Sequence, residues 1–112
     1  MAVLVAFALA AGQAANTTIS GYLVDKACSQ ELAAKGKQAL AQHDRSCSLM
    51  DACAQSGYGV VTEDGKFIAF DAAGNKKALA AIKGAKKDDN FKVTVIGEQQ
   101  GSVIKVASLT ME

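Results

Sequence analysis

Alternating apolar and polar positions dominate this chain, interrupted by two stretches of helical spacing. Thr17 to Asp25 alternates and is rich in residues that favour extended backbone (Thr18, Ile19, Tyr22, Leu23, Val24), which predicts a first strand. Ser29 to about Gln42 is rich in Ala, Lys, Gln and Leu, with Leu32, Gly36, Ala39, Leu40 and His43 at helical spacing. Gly36 sits in its middle, where the helix is expected to break or kink. His43-Asp44-Arg45-Ser46 reads as a polar connection. Ser48-Leu49-Met50-Asp51 then matches a capping box opening a short helix to about Gln55, stopped by Gly57.

Tyr58 to Thr62 and Lys66 to Asp71 flank Glu63-Asp64-Gly65, and an Asp-Gly pair between apolar runs is a strong hairpin signal. A further helix is expected from Gly74-Asn75 to near Gly84. Phe91, Val93 and Val95 then alternate against Lys92, Thr94 and Ile96, and Gly101 turns the chain into Val103 to Leu109. The predicted order is strand, helical insertion, strand, strand, helix, strand, strand. That is the order of an OB-fold, a small five-stranded barrel with a helix between strands 3 and 4, mostly β with short helices. An open α+β sheet with its helices on one face is the alternative. Strand neighbours are expected to be antiparallel, so a parallel pair would count against this reading.

Length and charge narrow the possibilities. The chain has 112 residues, room for one core and one domain. Lys and Arg number 12 against 11 Asp and Glu, which gives no strong nucleic-acid signal. Residues 1–15 are an uncharged run of Ala, Val, Leu and Phe closing on small residues, and polar Asn16-Thr17-Thr18 follows. This is the pattern of a secretory signal peptide, though without a basic n-region, and the run is shorter than the roughly 20 apolar residues a membrane span needs. The expectation is cleavage near Ala14 or Ala15, a mature domain over 16–112, and a periplasmic or secreted location with no membrane span after cleavage. There thiols pair or bind metal.

The chemistry is concentrated in one segment. Cys28, His43, Cys47 and Cys53 are all the Cys and His of the chain, and they fall within the helical insertion at 28–56. A Cys3His set is a standard structural zinc ligation, and its thiolates also suit Cu(I). An unbroken helix from Cys28 to His43 would hold them about 22 Å apart, so shared ligation requires the chain to fold back. The competing reading is a disulfide with a spare thiol. If Cys47 and Cys53 lay in one helix they would stand about 9 Å apart along its axis. A bridge needs Cα atoms within about 7 Å, which makes Cys28 the more natural partner for either. Met50 lies three residues from both Cys47 and Cys53; a thioether can ligate Cu(I), but beside Leu49 it reads as a core side chain.

The run Gly21-Tyr22-Leu23-Val24-Asp25, then Cys28, His43, Cys47 and Cys53, then Gly57-Tyr58-Gly59-Val60, Asp64-Gly65-Lys66 and a closing Val-rich hairpin resembles a family of small exported bacterial proteins of unknown function. The resemblance implies a secreted or periplasmic OB-like barrel with a Cys/His insertion after its first strand. It implies no activity. Three residues separate His43 from Cys47 here and five separate Cys47 from Cys53, wider than the spacing associated with that family.

Enzyme readings find little support. Cys47, His43 and Asp44 can be cast as nucleophile, base and orienting group, but no protease signature surrounds them, and there is no Cys-x-x-Cys pair. Asp25, Asp64 and Asp71 fall at strand ends or turns, where an Asp usually caps or favours the turn. The expectation is a non-enzymatic exported binding domain with a zinc or copper site on Cys28, His43, Cys47 and Cys53. The alternatives are a disulfide-stapled structural or protein-interaction module, including self-association, and, more weakly, an oligonucleotide- or oligosaccharide-binding barrel.

Overall fold

A computed structural model describes residues 16–112; the expected signal peptide at 1–15 lies outside the described residues. Five strands and five short helices follow one another: β1 (Thr17–Asp25), α1 (Lys26–Lys35), α2 (Lys37–Gln42), α3 (Arg45–Ser48), α4 (Asp51–Ser56), β2 (Tyr58–Val61), β3 (Phe67–Phe70), α5 (Ala72–Gly84), β4 (Lys92–Gln100) and β5 (Val103–Met111). The helix between strands 3 and 4 stands where the sequence puts it, two residues longer at its start because Asp71 caps it through Gly74 N.

The strands are hydrogen-bonded in the order β1-β2-β3-β5-β4, and β1 also pairs with β4, so the sheet closes on itself. Four of the five pairings are antiparallel. The fifth, β3 with β5, is parallel through Ala69↔Val103 and Phe70↔Ile104. The expectation of antiparallel neighbours alone is therefore corrected, and parity explains why. Strand direction cannot alternate all the way round a closed ring of five, so at least one pair must run parallel. A bulge between Ile96 and Gly97 bends β4 against β5. Gly97 has no room for a side chain there, since a Cβ would stand 2.1 Å from the Lys105 carbonyl oxygen.

Strand alternation sends one set of apolar side chains to the inside of the closed sheet. Leu23, Val60, Phe91, Val93, Val95 and Ile104 are buried in one core with Ala78 and Ile82 of α5. A second, smaller cluster of Val24, Leu40 and Val61 lies beneath α1 and α2, with Tyr22, Leu32 and Phe67 against it. It explains why Leu23, Val24 and Asp25 are all buried in succession. The period of two sends Leu23 and Val24 to opposite faces of β1, and the helical insertion covers the face that water would otherwise reach. Gly36 breaks the insertion's first helix as expected, at φ 96°, a left-handed conformation that suits glycine. The chain therefore doubles back between α1 and α2 instead of carrying His43 away from Cys28.

The capping box does not form. Ser48 ends α3 rather than opening the next helix, and α4 starts at Asp51 with Met50 before it. Asp44 provides the cap instead, accepting Cys47 N at 2.8 Å. A carboxylate is the stronger acceptor, and here it intercepts the chain one turn early. Met50 is 59% exposed rather than part of the core.

Candidate metal centre

The site is assembled at the stem of the insertion. The last residue of β1, Asp25, pairs with the first residue of β2, Tyr58, so the thirty-odd residues between them leave the sheet and return to one spot. Two hydrogen bonds draw the stem shut: Lys26 N to Gly57 O at 2.8 Å and Ala27 N to Ser56 Oγ at 3.0 Å. Cys28 lies three residues past the end of β1 and Cys53 five residues before the start of β2. Closing the stem brings the two cysteines together although 25 positions separate them in sequence.

Asp25 stands between them, fully buried. Its Oδ2 accepts Cys28 N at 3.1 Å as the N-cap of α1, and its Oδ1 lies 2.6 Å from Nε2 of buried His43. One oxygen of Asp25 and the Sγ atoms of Cys28 and Cys53 all fall within 4.8 Å of one another, a group able to hold a metal ion. In a tetrahedral zinc site with bonds of about 2.0–2.3 Å, ligand atoms stand roughly 3.3–3.8 Å apart. The 4.8 Å bound on this trio is about 1 Å looser than that spacing.

The site's electrostatics follow from three acidic groups sharing a dry spot. Burial alone would raise Asp25, but the hydrogen bond and charge of His43, with the N–H of Cys28, hold it below the usual carboxylate value. The thiols move the other way. Burial, then the charge and hydrogen bond of Asp25, then Cys53, push Cys28 up to about 12. Cys53 is raised by burial and by Asp25, and Tyr58 by burial, Asp25 and Cys53 in turn. Without a cation only Asp25 ionises readily and both thiols keep their protons. A divalent or soft monovalent cation bound there would reverse that preference by supplying the charge that lets both sulfurs ionise.

Of the four residues expected to ligate, the structure brings Cys28 and Cys53 together. His43 stands behind Asp25 and fixes the carboxylate through a hydrogen bond, as outer-shell partners do for ligating carboxylates, although the order reverses the commoner one in which the histidine ligates. Cys47 lies apart and exposed on α3, raised by its hydrogen bond to Asp44 and by burial. All three cysteines are unbridged. Asp25, expected at a strand end or turn as a capping or turn-favouring residue, is the member absent from the expected ligand set. It does cap a helix, as expected, and the Asp-x-x-Cys spacing at a strand end was the signal that the same carboxylate faces the thiol.

Two features frame the site. The Tyr58 hydroxyl donates to Ser48 O at 2.8 Å, and Ser48 Oγ is the one buried side-chain polar atom without a partner among the described residues. Arg45 anchors the far side of the insertion to the end of α5: Nε donates to Ile82 O at 3.1 Å, and Nη2 donates to Lys87 O at 2.8 Å and to Ala85 O. A separate cleft of about 640 Å³, lined by Tyr22, Leu40, Lys37, Thr62 and Lys92, contains none of the three grouped residues.

Compared with known protein families, curated proteins and solved structures, the chain matches none. Among the described residues no helix is long and apolar enough to cross a membrane.

Proposed function

We propose that the protein is an exported, non-catalytic binding domain, an OB-like barrel whose insertion stem holds zinc or Cu(I) on Cys28, Cys53 and Asp25. The OB-like assignment rests on the strand order and on the helix between β3 and β4. The export reading rests on the apolar run at 1–15. One observation carries the metal reading: two thiol sulfurs and a buried carboxylate oxygen converge within 4.8 Å, with His43 holding the carboxylate. Three protein ligands leave a fourth position for an exogenous group or a partner's side chain.

Titration of the reduced chain with zinc and with Cu(I), against a competing chelator, tests this. One metal per chain is expected for wild type and Cys47→Ser, with most affinity lost in Cys53→Ser and Asp25→Asn. Equal loss in Cys47→Ser and Cys53→Ser would refute the ligand set. The same sulfur proximity supports a second reading, a Cys28–Cys53 staple without metal. That reading predicts no metal uptake by the reduced protein and a single free thiol in the oxidised one.

A further inference from the structure

The two sulfurs that converge on Asp25 are also the two that a disulfide would join. We propose that Cys28 and Cys53 are an oxidation site as well as ligands: a peroxide-class oxidant couples their sulfurs and discharges the metal, so that the loaded and bridged forms are alternative states of one pair. This inference rests on the metal reading of the site.

Placement carries the argument. Each cysteine sits beside a fixed point of the stem. Cys28 follows the Lys26–Gly57 and Ala27–Ser56 hydrogen bonds, and the Cys53 carbonyl accepts the Ser56 hydroxyl at 2.7 Å. Those hydrogen bonds fix the backbone at both ends of the stem, and the two sulfurs already lie within 4.8 Å of each other. A disulfide needs the sulfurs at about 2.05 Å, and a χ1 change between staggered wells moves a sulfur by about 3 Å, the scale of closure the bridge requires. Cys28 is half-buried and Cys53 buried, so an oxidant arriving from solvent meets Cys28 first. Exposed Cys47 is outside the group.

The chemistry balances with peroxide as the oxidant and solvent as the source of two protons. A bound metal would hold both sulfurs as thiolates, the nucleophilic form. The Cys28 sulfur attacks one peroxide oxygen, the O–O bond breaks, and hydroxide leaves a sulfenic acid behind. The Cys53 thiolate attacks that sulfur, the S–O bond breaks, a second hydroxide departs and the S–S bond forms. The two sulfurs lose two electrons, the two peroxide oxygens gain them, and both hydroxides take up protons to become water. Asp25 alone cannot retain the ion once both thiolates are consumed.

The test uses full-length Cys47→Ser, because trypsin leaves Cys47 and Cys53 in one peptide (46–66) and Cys28 in another (27–35). The reduced variant is loaded with zinc, freed of excess metal and given one equivalent of hydrogen peroxide. A chromophoric chelator follows zinc release, and mass spectrometry follows the peptides. The expected result is release matched by a 27–35/46–66 cross-link, with zinc binding restored by a phosphine reductant. Release with sulfinic acid and no cross-link would overturn the proposal, as would a cross-link formed while zinc stays bound. Failure to load before peroxide is added would overturn the metal reading itself, and the inference with it. In wild type, alkylation after oxidation should mark Cys47 alone.

Discussion

Asp25 is where the fold and the candidate chemistry meet, and replacing it separates their contributions. In Asp25→Ala the first turn of α1 loses its cap on Cys28 N, a loss of about 1 kcal/mol at a typical N-cap. Buried His43 also loses the oxygen 2.6 Å from its Nε2, and a hydrogen bond to a charged group contributes about 1.5–3 kcal/mol. The expected cost is about 2.5–4 kcal/mol, a large part of the roughly 5–15 kcal/mol that stabilises a domain. At about 4–8 °C per kcal/mol for a domain of this size, the melting temperature should fall by at least about 10 °C. Asp25→Asn keeps an N-cap acceptor and a partner for His43 but removes the charge. Its loss should be smaller, about 1–2 kcal/mol, while metal affinity falls nearly as far as in the alanine variant. Urea unfolding of the reduced, metal-free proteins at neutral pH measures the first quantity, and metal titration measures the second. The pH dependence adds a sign. The folded pKa of Asp25 lies below its unfolded value, so its stabilisation is present above the unfolded carboxylate pKa of about 3.9 and is lost as pH falls through the folded one. Asp25→Asn should flatten that acid limb. A variant as stable as wild type, with an unchanged acid limb, would show that the carboxylate's charge supports neither fold nor site.

Three further outcomes follow from the geometry. Reduced, metal-free protein should show the Cys28 thiolate absorbance only well above pH 9, and because this pKa is raised on folding, the stability it contributes is full below about 9 and lost as pH climbs towards about 12; a Cys28 thiolate seen by ultraviolet titration at pH 8 would contradict the crowding of negative charge inferred at the stem. Arg45→Ala removes three donors from the carbonyls that end α5 and should destabilise by about 2–3 kcal/mol in thermal or urea unfolding, with zinc affinity nearly unchanged. Gly97→Ala should prevent folding or cost several kcal/mol by circular dichroism, since its Cβ would strike the Lys105 carbonyl.

Much of the barrel is legible because alternation is a strong local signal. β1 runs from Thr17 to Asp25 as read, and the buried Phe91, Val93 and Val95 are the apolar set of the predicted fourth strand. What the pattern does not carry is pairing at a distance. β3 meets β5 across α5 and the whole of β4, so nothing local to Phe67–Phe70 reveals that its neighbour runs parallel. Helix starts fail for a related reason. Asp44 and Ser48 both satisfy a capping rule, and a linear sequence does not say which acceptor wins. Arg45 looked like part of a polar connection because its partners, the carbonyls of Ile82, Ala85 and Lys87, lie some forty residues away.

The site was half legible, and the same distinction between local and distant signals explains which half. Clustering of Cys and His marked the insertion, but ligand sets are drawn by closure, not by spacing along the chain. Asp25 opposite Tyr58 makes the insertion a loop with a single stem, and residues near its two ends meet whatever its middle does. Cys28 and Cys53 lie near those ends, whereas Cys47 lies on the arm that Arg45 pulls towards α5. His43 comes back to the stem because Gly36 turns the chain and Leu40 packs on Val24 and Val61, which leaves its imidazole facing Asp25. An expected Cys3His set thereby becomes two thiols and a carboxylate with the histidine behind. That exchange alters the chemistry, because a carboxylate crowded against two thiols favours their protonated forms until a cation arrives. If the stem binds metal as proposed, uptake releases protons, and a weakly buffered titration of the reduced chain should record that release together with binding.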